Sequence, residues 1–331
     1  MLRPATFTVV TKLIVQIPCL NEEETLPLVL ENIPTDIKGV DEIETLVIDD
    51  GSTDRTVQVA AELGVNHIIR HRTNRGLARS FADGIDHCLK LGADIIVNTD
   101  GDNQYPQERI PDLVRPILDD QADLVVADRQ TQTIEHFSPG KKALQRLGSK
   151  VVASAADTDI PDAASGFRAY SRQAAEQINV MTDFSYCMET IIHAGRKGLS
   201  IASVPVETNP KTRDSRLFKS NRQHVMRSAS AIARAYIMHQ PLKLFLSTAT
   251  VFGIVGLIPF LRYLYLFATI QSGLGAHLQS LLLGAVSLTA SFMMIVLGVV
   301  ADLVKINRVY LEDSLVRLKR LQYTGDQSTT V

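Results

Sequence analysis

Two nucleotide-binding fingerprints are missing from this 331-residue sequence. Neither Gly-x-x-x-x-Gly-Lys-Ser/Thr nor Gly-x-Gly-x-x-Gly follows its first apolar run, so P-loop NTPase and Rossmann dehydrogenase readings lose their main support. Cysteine is scarce. Cys19, Cys88 and Cys187 are widely spaced and form no metal-ligand pattern, which points to a reduced compartment with free thiols. No cluster of His or Cys suits zinc. An excess of either charge is also absent. With 34 basic and 36 acidic residues the net charge is −2, and no global field favours nucleic acid. Met1–Lys12 is short and polar, so no secretory signal peptide is expected there. Charge is dense up to about residue 234, and two long stretches beyond it almost lack it.

The length fits two domains, or one large domain with an appendage. Residues 13–17, Leu-Ile-Val-Gln-Ile, read as a buried strand ending at Pro18-Cys19-Leu20-Asn21-Glu22, with Asn21 placed to cap a following helix. A second strand, 44–48, runs into Asp49-Asp50-Gly51-Ser52-Thr53-Asp54, where Ser52, Thr53 or Asp54 can cap a helix over about 55–63. A short strand at 67–70 precedes a helix over about 77–91, with Leu77, Phe81, Ile85 and Leu89 at i+4 spacing. Ile95-Ile96-Val97 then stops at Asp100-Gly101-Asp102-Asn103-Gln104, and a helix over 107–119 leads to a strand at 123–127 and Arg129. Alternating strands and helices predict a parallel, doubly wound α/β sheet with helices on both faces. Ligands of such sheets bind beyond the carboxyl ends of the strands, where Asn21–Glu22, Asp49–Asp50, Asp100–Gln104 and Arg129 all fall.

Alone, Asp-Gly-Asp reads as a solvated acidic turn. At a strand end in such a sheet, two carboxylates one residue apart can grip a hard cation that also ligates substrate phosphate, with Gly101 allowing a tight bend. Farther on, Lys141, Lys142, Arg146 and Lys150 lie along an expected helix, followed by Asp157, Asp159 and Asp162 and by Ser165-Gly166-Phe167-Arg168. A further helix is expected over 184–196 and a strand over 201–206.

The charge-poor stretches span 244–270 and 279–301, each long enough at 1.5 Å per residue to cross about 30 Å of hydrocarbon. Arg227, Arg234 and Lys243 precede them, and Lys305, Arg308, Arg317, Lys319 and Arg320 follow, while the short loop between has no Lys or Arg. The positive-inside rule puts both termini in the cytoplasm. Residues 221–241 read as a basic amphipathic helix lying on anionic headgroups. Residues 305–331 read as a cytoplasmic helix (306–321), whose apolar stripe hints at a neighbouring subunit, and a disordered tail over Gly325–Val331.

Five motifs in order carry a resemblance: Pro18-Cys19-Leu20-Asn21-Glu22, Val47–Asp54, Asn74-Arg75-Gly76-Leu77, Asp100–Pro106 and Ser165-Gly166-Phe167-Arg168. Together they resemble the inverting family 2 glycosyltransferases of GT-A type, and more narrowly the polyprenyl-phosphate branch of dolichol-phosphate mannosyltransferases and bacterial polyprenyl-phosphate glucosyltransferases. The resemblance implies a GT-A catalytic domain over residues 1–220, followed by the interfacial helix and the two-helix membrane hairpin (242–304). It implies that Asp100, Asp102 and Gln104 hold Mg²⁺ or Mn²⁺ and the diphosphate. Pro18, Asn21, Glu22, Gly101 and one of Asp49 or Asp50 would form the donor-nucleotide pocket. Arg129, Arg146, Ser149, Arg213 and Lys219 would face the acceptor phosphate, and Asp157 or Asp162 would orient the acceptor or sugar. The basic loop Lys211–Lys219 lacks the family's usual glycine.

The implied reaction is in-line displacement by a polyprenyl phosphate on a nucleotide sugar, with UDP-glucose favoured and GDP-mannose the alternative. The implied partners are these substrates, membrane lipids and further copies of the chain. A tethered, inactive binding module is the rival from another class, and intact Asp100, Asp102 and Gln104 argue against it. A processive synthase would need more membrane helices and a Gln-x-x-Arg-Trp motif, and the chain has no tryptophan.

Overall fold

The computed structural model describes residues 10–130, 149, 152–153, 156, 158, 160–180, 186–210, 240–270 and 278–327. It divides into two units, Met1–Ile232 with Val316–Val331, and Ala233–Leu315. In the first unit the strands are β1 (Lys12–Cys19), β2 (Glu42–Asp49), β3 (His67–Arg70), β4 (Ile95–Asn98), β5 (Leu124–Asp128), β6 (Arg168–Ser171) and β7 (Ile201–Pro205). The helices are α1 (Leu26–Glu31), α2 (Thr56–Glu62), α3 (Leu77–Lys90), α4 (Ile110–Leu118), α5 (Arg172–Gln177) and α6 (Tyr186–Arg196).

The seven strands form one sheet in the order β3-β2-β1-β4-β6-β5-β7. All pairings are parallel except those of β6, which runs antiparallel between β4 and β5. This is the mostly parallel, doubly wound arrangement expected, corrected by one inserted strand that periodicity did not reveal. β6 begins with Arg168, which is fully buried, and a charged residue masks the strand signal. Its guanidinium donates to the carbonyls of Ser165, Cys187 and Ala163 and to Thr190 Oγ1, so the buried cation is wrapped in acceptors.

Leu13, Val15, Ile17, Val47, Val97 and Val125 line one sheet face and pack with Leu26, Val29, Leu113 and Val114. On the other face α3 lies so close that a Cβ on Gly84 would run into Gln16 Oε1 and come within 2.9 Å of Ile48 Cδ1. Gly84→Ala is therefore expected to destabilise the protein by about 1–3 kcal/mol, the usual cost of overpacking. The measurement is the unfolding midpoint of the full chain in detergent, and an unchanged midpoint would mean that Gln16 simply moves aside.

Two cap assignments are corrected. Asn21 does not cap a helix: it has φ +56°, and α1 starts only at Leu26 after the N-cap Thr25. Its side chain instead accepts from Thr53 N at 2.8 Å and so ties the loop after β1 to the loop after β2. None of Ser52, Thr53 and Asp54 is the N-cap of α2: that residue is Arg55, and Asp54, one position ahead of it, accepts from Thr56 N at 2.9 Å.

The second unit holds α7 (Pro241–Ile270) and α8 (Leu278–Gln327) as far as Leu315; the two contain apolar windows with mean hydropathies of 2.1 and 2.2, and both helices are long and apolar enough to cross a membrane. The helix expected at 279–301 and the cytoplasmic helix expected at 306–321 are one continuous element. At 50 residues α8 spans about 75 Å. It still includes Gly325–Gln327, where disorder was expected. Small residues let α7 and α8 touch: a Cβ on Gly256 would lie 3.0 Å from Gly284 O, and Ser291 Oγ donates to Ala249 O at 2.7 Å. Thr248, Thr250, Thr269 and Thr289 return their hydroxyls to carbonyls four residues back, so they leave no free polar group on an apolar surface. The interfacial helix expected over 221–241 falls almost wholly outside the described residues.

Candidate active site

The carboxyl ends of β1, β2 and β4 bring together the first, second and fourth sequence motifs. The loops after β1 and β2 are zipped by side-chain bonds. Asn21 N donates to Ser52 Oγ, Glu22 N to Thr56 Oγ1 (both 2.8 Å) and Glu23 N to Asp54 Oδ2 at 3.2 Å. The loop after β4 presses against them, because a Cβ on Gly101 would lie 2.9 Å from Cys19 Sγ and 3.3 Å from Glu22 Cγ. This close approach is why residue 101 is glycine. The left-handed residue of the loop is Asn103 (φ +56°), so the expectation that Gly101 supplies the bend is corrected.

Asp49 and Asp50, which sequence could not tell apart, have different surroundings. Asp50 is saturated: its carboxylate accepts from Arg75 N, Gly76 N and His71 Nδ1, each at 2.8 Å. It anchors the Asn74-Arg75-Gly76 loop. Asp49 is fully buried, and its Oδ1 accepts from Ser52 N at 3.1 Å. Its Oδ2 has no hydrogen-bond partner and lies 3.6 Å from Arg70 Nε. A buried carboxylate oxygen without a hydrogen bond is costly, and the nearby Arg70 guanidinium offsets part of that cost. Burial, reinforced by Glu22, Asp49, Asp100 and Asp54, pushes the Cys19 thiol well up and keeps it neutral, unfit as a ligand or nucleophile.

Asp102 accepts from Gln104 N at 3.2 Å and from Gln104 Nε2 at 2.9 Å, so the Gln104 amide orients Asp102. Asp100 faces Gly166, where a Cβ would lie 3.2 and 3.3 Å from its two carboxylate oxygens. Gly166 is fixed on both sides. Its N–H donates to Tyr105 Oη at 2.9 Å, and its carbonyl accepts from Asn98 Nδ2 at 2.8 Å. Asn98 Nδ2 also donates to Tyr186 Oη at 3.1 Å, and Asn98 Oδ1 accepts from Gln16 Nε2 at 2.8 Å. Stacking of Tyr105 on Phe167 (5.2 Å) and of Tyr186 on Phe81 (4.2 Å) holds the two phenols in place. Gln16, Asn98 and Tyr186 were not expected at the site, and Tyr105 was present there only as part of the Asp100–Pro106 motif. Gln16 and Asn98 did leave a signal, as polar residues inside or ending otherwise apolar strand runs.

Arg129 makes a two-pronged pair with Asp162, Nε to Oδ2 at 2.7 Å and Nη2 to Oδ1 at 3.0 Å. Burial opposes both charges, yet the paired Asp162 carboxylate keeps Arg129 cationic, and Arg129 holds Asp162 below the usual carboxylate range. Asp162, expected to orient the acceptor or sugar, has both carboxylate oxygens engaged by Arg129 and orients that arginine. Ser149 is buried beside this segment, its Oγ accepting from Ala163 N at 3.2 Å. Arg146, Asp157, Arg213 and Lys219 lie outside the described residues.

The cluster offers two carboxylates for a cation, and among the described residues no group of three or more His, Cys, Asp or Glu side chains could hold one. That donor set fits Mg²⁺ or Mn²⁺ shared with substrate phosphates, the usual arrangement for cations kept by one or two carboxylates. Residues 14–178 match the family model described as Glycosyl transferase family 2. The chain belongs to this family. As a family 2 member it is a glycosyltransferase with a GT-A sheet.

Among relatives, a UDP-N-acetylglucosamine–dolichyl-phosphate N-acetylglucosaminyltransferase of Methanococcus voltae is 29% identical over 214 residues, 58% of this chain and 83% of that protein. A polyprenol monophosphomannose synthase of Mycolicibacterium smegmatis is 28% identical, covering 61% and 79%. A solved glucosyl-3-phosphoglycerate synthase of Mycobacterium tuberculosis, in complex with Mn²⁺, UDP and glucosyl-3-phosphoglycerate, superposes with a TM-score of 0.53 at 21% identity, covering 69% and 80%. At that identity the likeness concerns the fold.

Proposed function

We propose that the protein transfers a hexose, with glucose from UDP-glucose favoured, to a membrane polyprenyl phosphate with inversion at the anomeric carbon. The observation that carries this reading is that one chain joins the Asp100–Asp102 cluster at a GT-A sheet edge to two helices fit to span a bilayer. Relatives support the acceptor class, since their names share a polyprenyl or dolichyl phosphate while the sugar changes. The buried Asp49 Oδ2 supports a nucleoside whose base offers an N–H, and Asp50, committed to the 71–76 loop, is left to position that loop. Pro18, Asn21, Glu22 and Gly101 complete the donor pocket in this reading.

A divalent cation bound by Asp100 and Asp102 would neutralise charge on the diphosphate. Gln104 orients Asp102, and Asp162 holds Arg129 extended toward the acceptor phosphate, with Arg146, Ser149, Arg213 and Lys219 as its further contacts. An oxygen of the lipid phosphate attacks the anomeric carbon, the bond to the diphosphate breaks, and its electron pair leaves with the nucleoside diphosphate. The attacking phosphate is already ionised near neutral pH, so no strong general base is required. The basic flanks of the hairpin support a cytoplasmic catalytic domain and termini. Exposed Leu311, Leu318 and Leu321 on α8 support assembly with further copies of the chain.

The test incubates membranes containing the protein with polyprenyl phosphate, Mg²⁺ or Mn²⁺ and labelled UDP-glucose, UDP-N-acetylglucosamine or GDP-mannose. Lipid-linked label from UDP-glucose is expected. Label from GDP-mannose alone would move the reading to a mannosyltransferase, and no label from any donor would overturn it.

A further inference from the structure

Asn209 lies four residues beyond the end of β7, on a segment that continues along β5, where Val206 N donates to Asp128 O at 2.8 Å. From there it reaches the loop after β4 and engages three consecutive carbonyls. Its backbone N–H donates to Gln104 O at 2.9 Å, and its Nδ2 donates to Asn103 O at 3.1 Å and to Tyr105 O at 3.4 Å. We infer that Asn209 is the positioning residue of the metal-holding loop, acting on Asp102 through Gln104.

The chain of contacts is short. Asn209 fixes the carbonyl of Gln104, while the backbone and side-chain amides of Gln104 donate to the two oxygens of Asp102. Asn103, between them, sits at φ +56°, a left-handed conformation that asparagine adopts more readily than most residues and that sets the direction of the loop. Tyr105 is secured separately by its ring against Phe167 and its hydroxyl on Gly166. Asn209 supplies the side-chain bonds that brace the carbonyls on either side of Gln104, at the left-handed middle of the loop. Beside it lies an open cavity of about 580 Å³, lined by Pro106, Arg109, Gln130, Val206 and Asn209 among others. Packing there would not replace the lost bonds, so a loop released from Asn209 has space to move.

This inference rests on the metal-clamp reading of Asp100 and Asp102, and the experiment separates the two. The full chain in detergent is titrated with Mn²⁺ in the presence of UDP, and free Mn²⁺ is followed by electron paramagnetic resonance. Asn209→Asp keeps the shape and the backbone N–H but turns a carboxylate oxygen toward two carbonyls, and Asn209→Ala removes the amide without repulsion. Losing two such hydrogen bonds is expected to weaken Mn²⁺ binding about tenfold in Asn209→Asp and less in Asn209→Ala. Transfer at saturating Mn²⁺ should recover, and the unfolding midpoint and the KM for the lipid should stay near those of the parent. Asp102→Asn, run alongside, should abolish binding. If it does so while both Asn209 variants bind as the parent does, the positioning role is overturned and the clamp stands. If Asp102→Asn binds normally, the clamp reading fails and this inference fails with it.

Discussion

Replacing Asp102 with asparagine is expected to lower sugar transfer by about 10²–10³-fold, the scale of removing one preorganised electrostatic group from a reaction centre. The substitution is nearly isosteric. Its amide oxygen can still accept from Gln104 Nε2, which lies 2.9 Å from Asp102 Oδ2, while its NH2 gives up the weaker 3.2 Å bond from Gln104 N. What is lost is one of two carboxylates at a site where the leaving diphosphate needs its charge neutralised. Labelled transfer and thermal unfolding, measured on the same preparation, decide the matter. Undiminished transfer with an unchanged midpoint would remove the metal role from Asp102.

The strands that position this site were legible because buried parallel strands read as apolar runs, and polar clusters marked where they ended. Ile95-Ile96-Val97 followed by Asp100 is an example, and β4 and its loop fall where that pattern puts them. The two long apolar helices were legible for a similar reason, since a long stretch almost free of charge is a signal that length alone can weigh. Four things were hidden. β6 opens on Arg168, whose buried charge is satisfied by the nearby carbonyls of Ser165 and Ala163 and by that of Cys187, 19 positions on, and backbone carbonyls leave no mark in a sequence. Asn21 follows a strand in the manner of a helix cap, but its left-handed backbone turns the side chain to Thr53, 32 positions away. Asp49 and Asp50 are neighbours of one type, and only tertiary contacts separate the saturated carboxylate from the one with an open oxygen. Asn209 is the extreme case. It binds backbone carbonyls, which every residue has, so nothing in the sequence of its targets points back to it.

Gly166→Ala is the second substitution expected to have a large effect, and its cause is geometric. The new methyl would lie 2.9 Å from Tyr186 Oη and 3.2 and 3.3 Å from the oxygens of Asp100. The backbone cannot retreat cheaply, because Tyr105 Oη holds the Gly166 N–H and Asn98 Nδ2 holds its carbonyl. One or both neighbours must shift by several tenths of an ångström or more. The cost in stability should be about 1–3 kcal/mol, as for other overpacked sites. The cost in rate should be larger, because a misplacement of about 1 Å at a reacting centre can lower the rate about 10²-fold. The double variant Gly166→Ala/Tyr186→Phe separates the two collisions. Removing the phenol oxygen relieves the 2.9 Å contact, so part of the lost stability should return. The methyl still faces Asp100, so transfer should stay near the level of the single variant. Recovery of transfer together with stability would assign the whole effect to Tyr186 and clear Asp100 of any displacement.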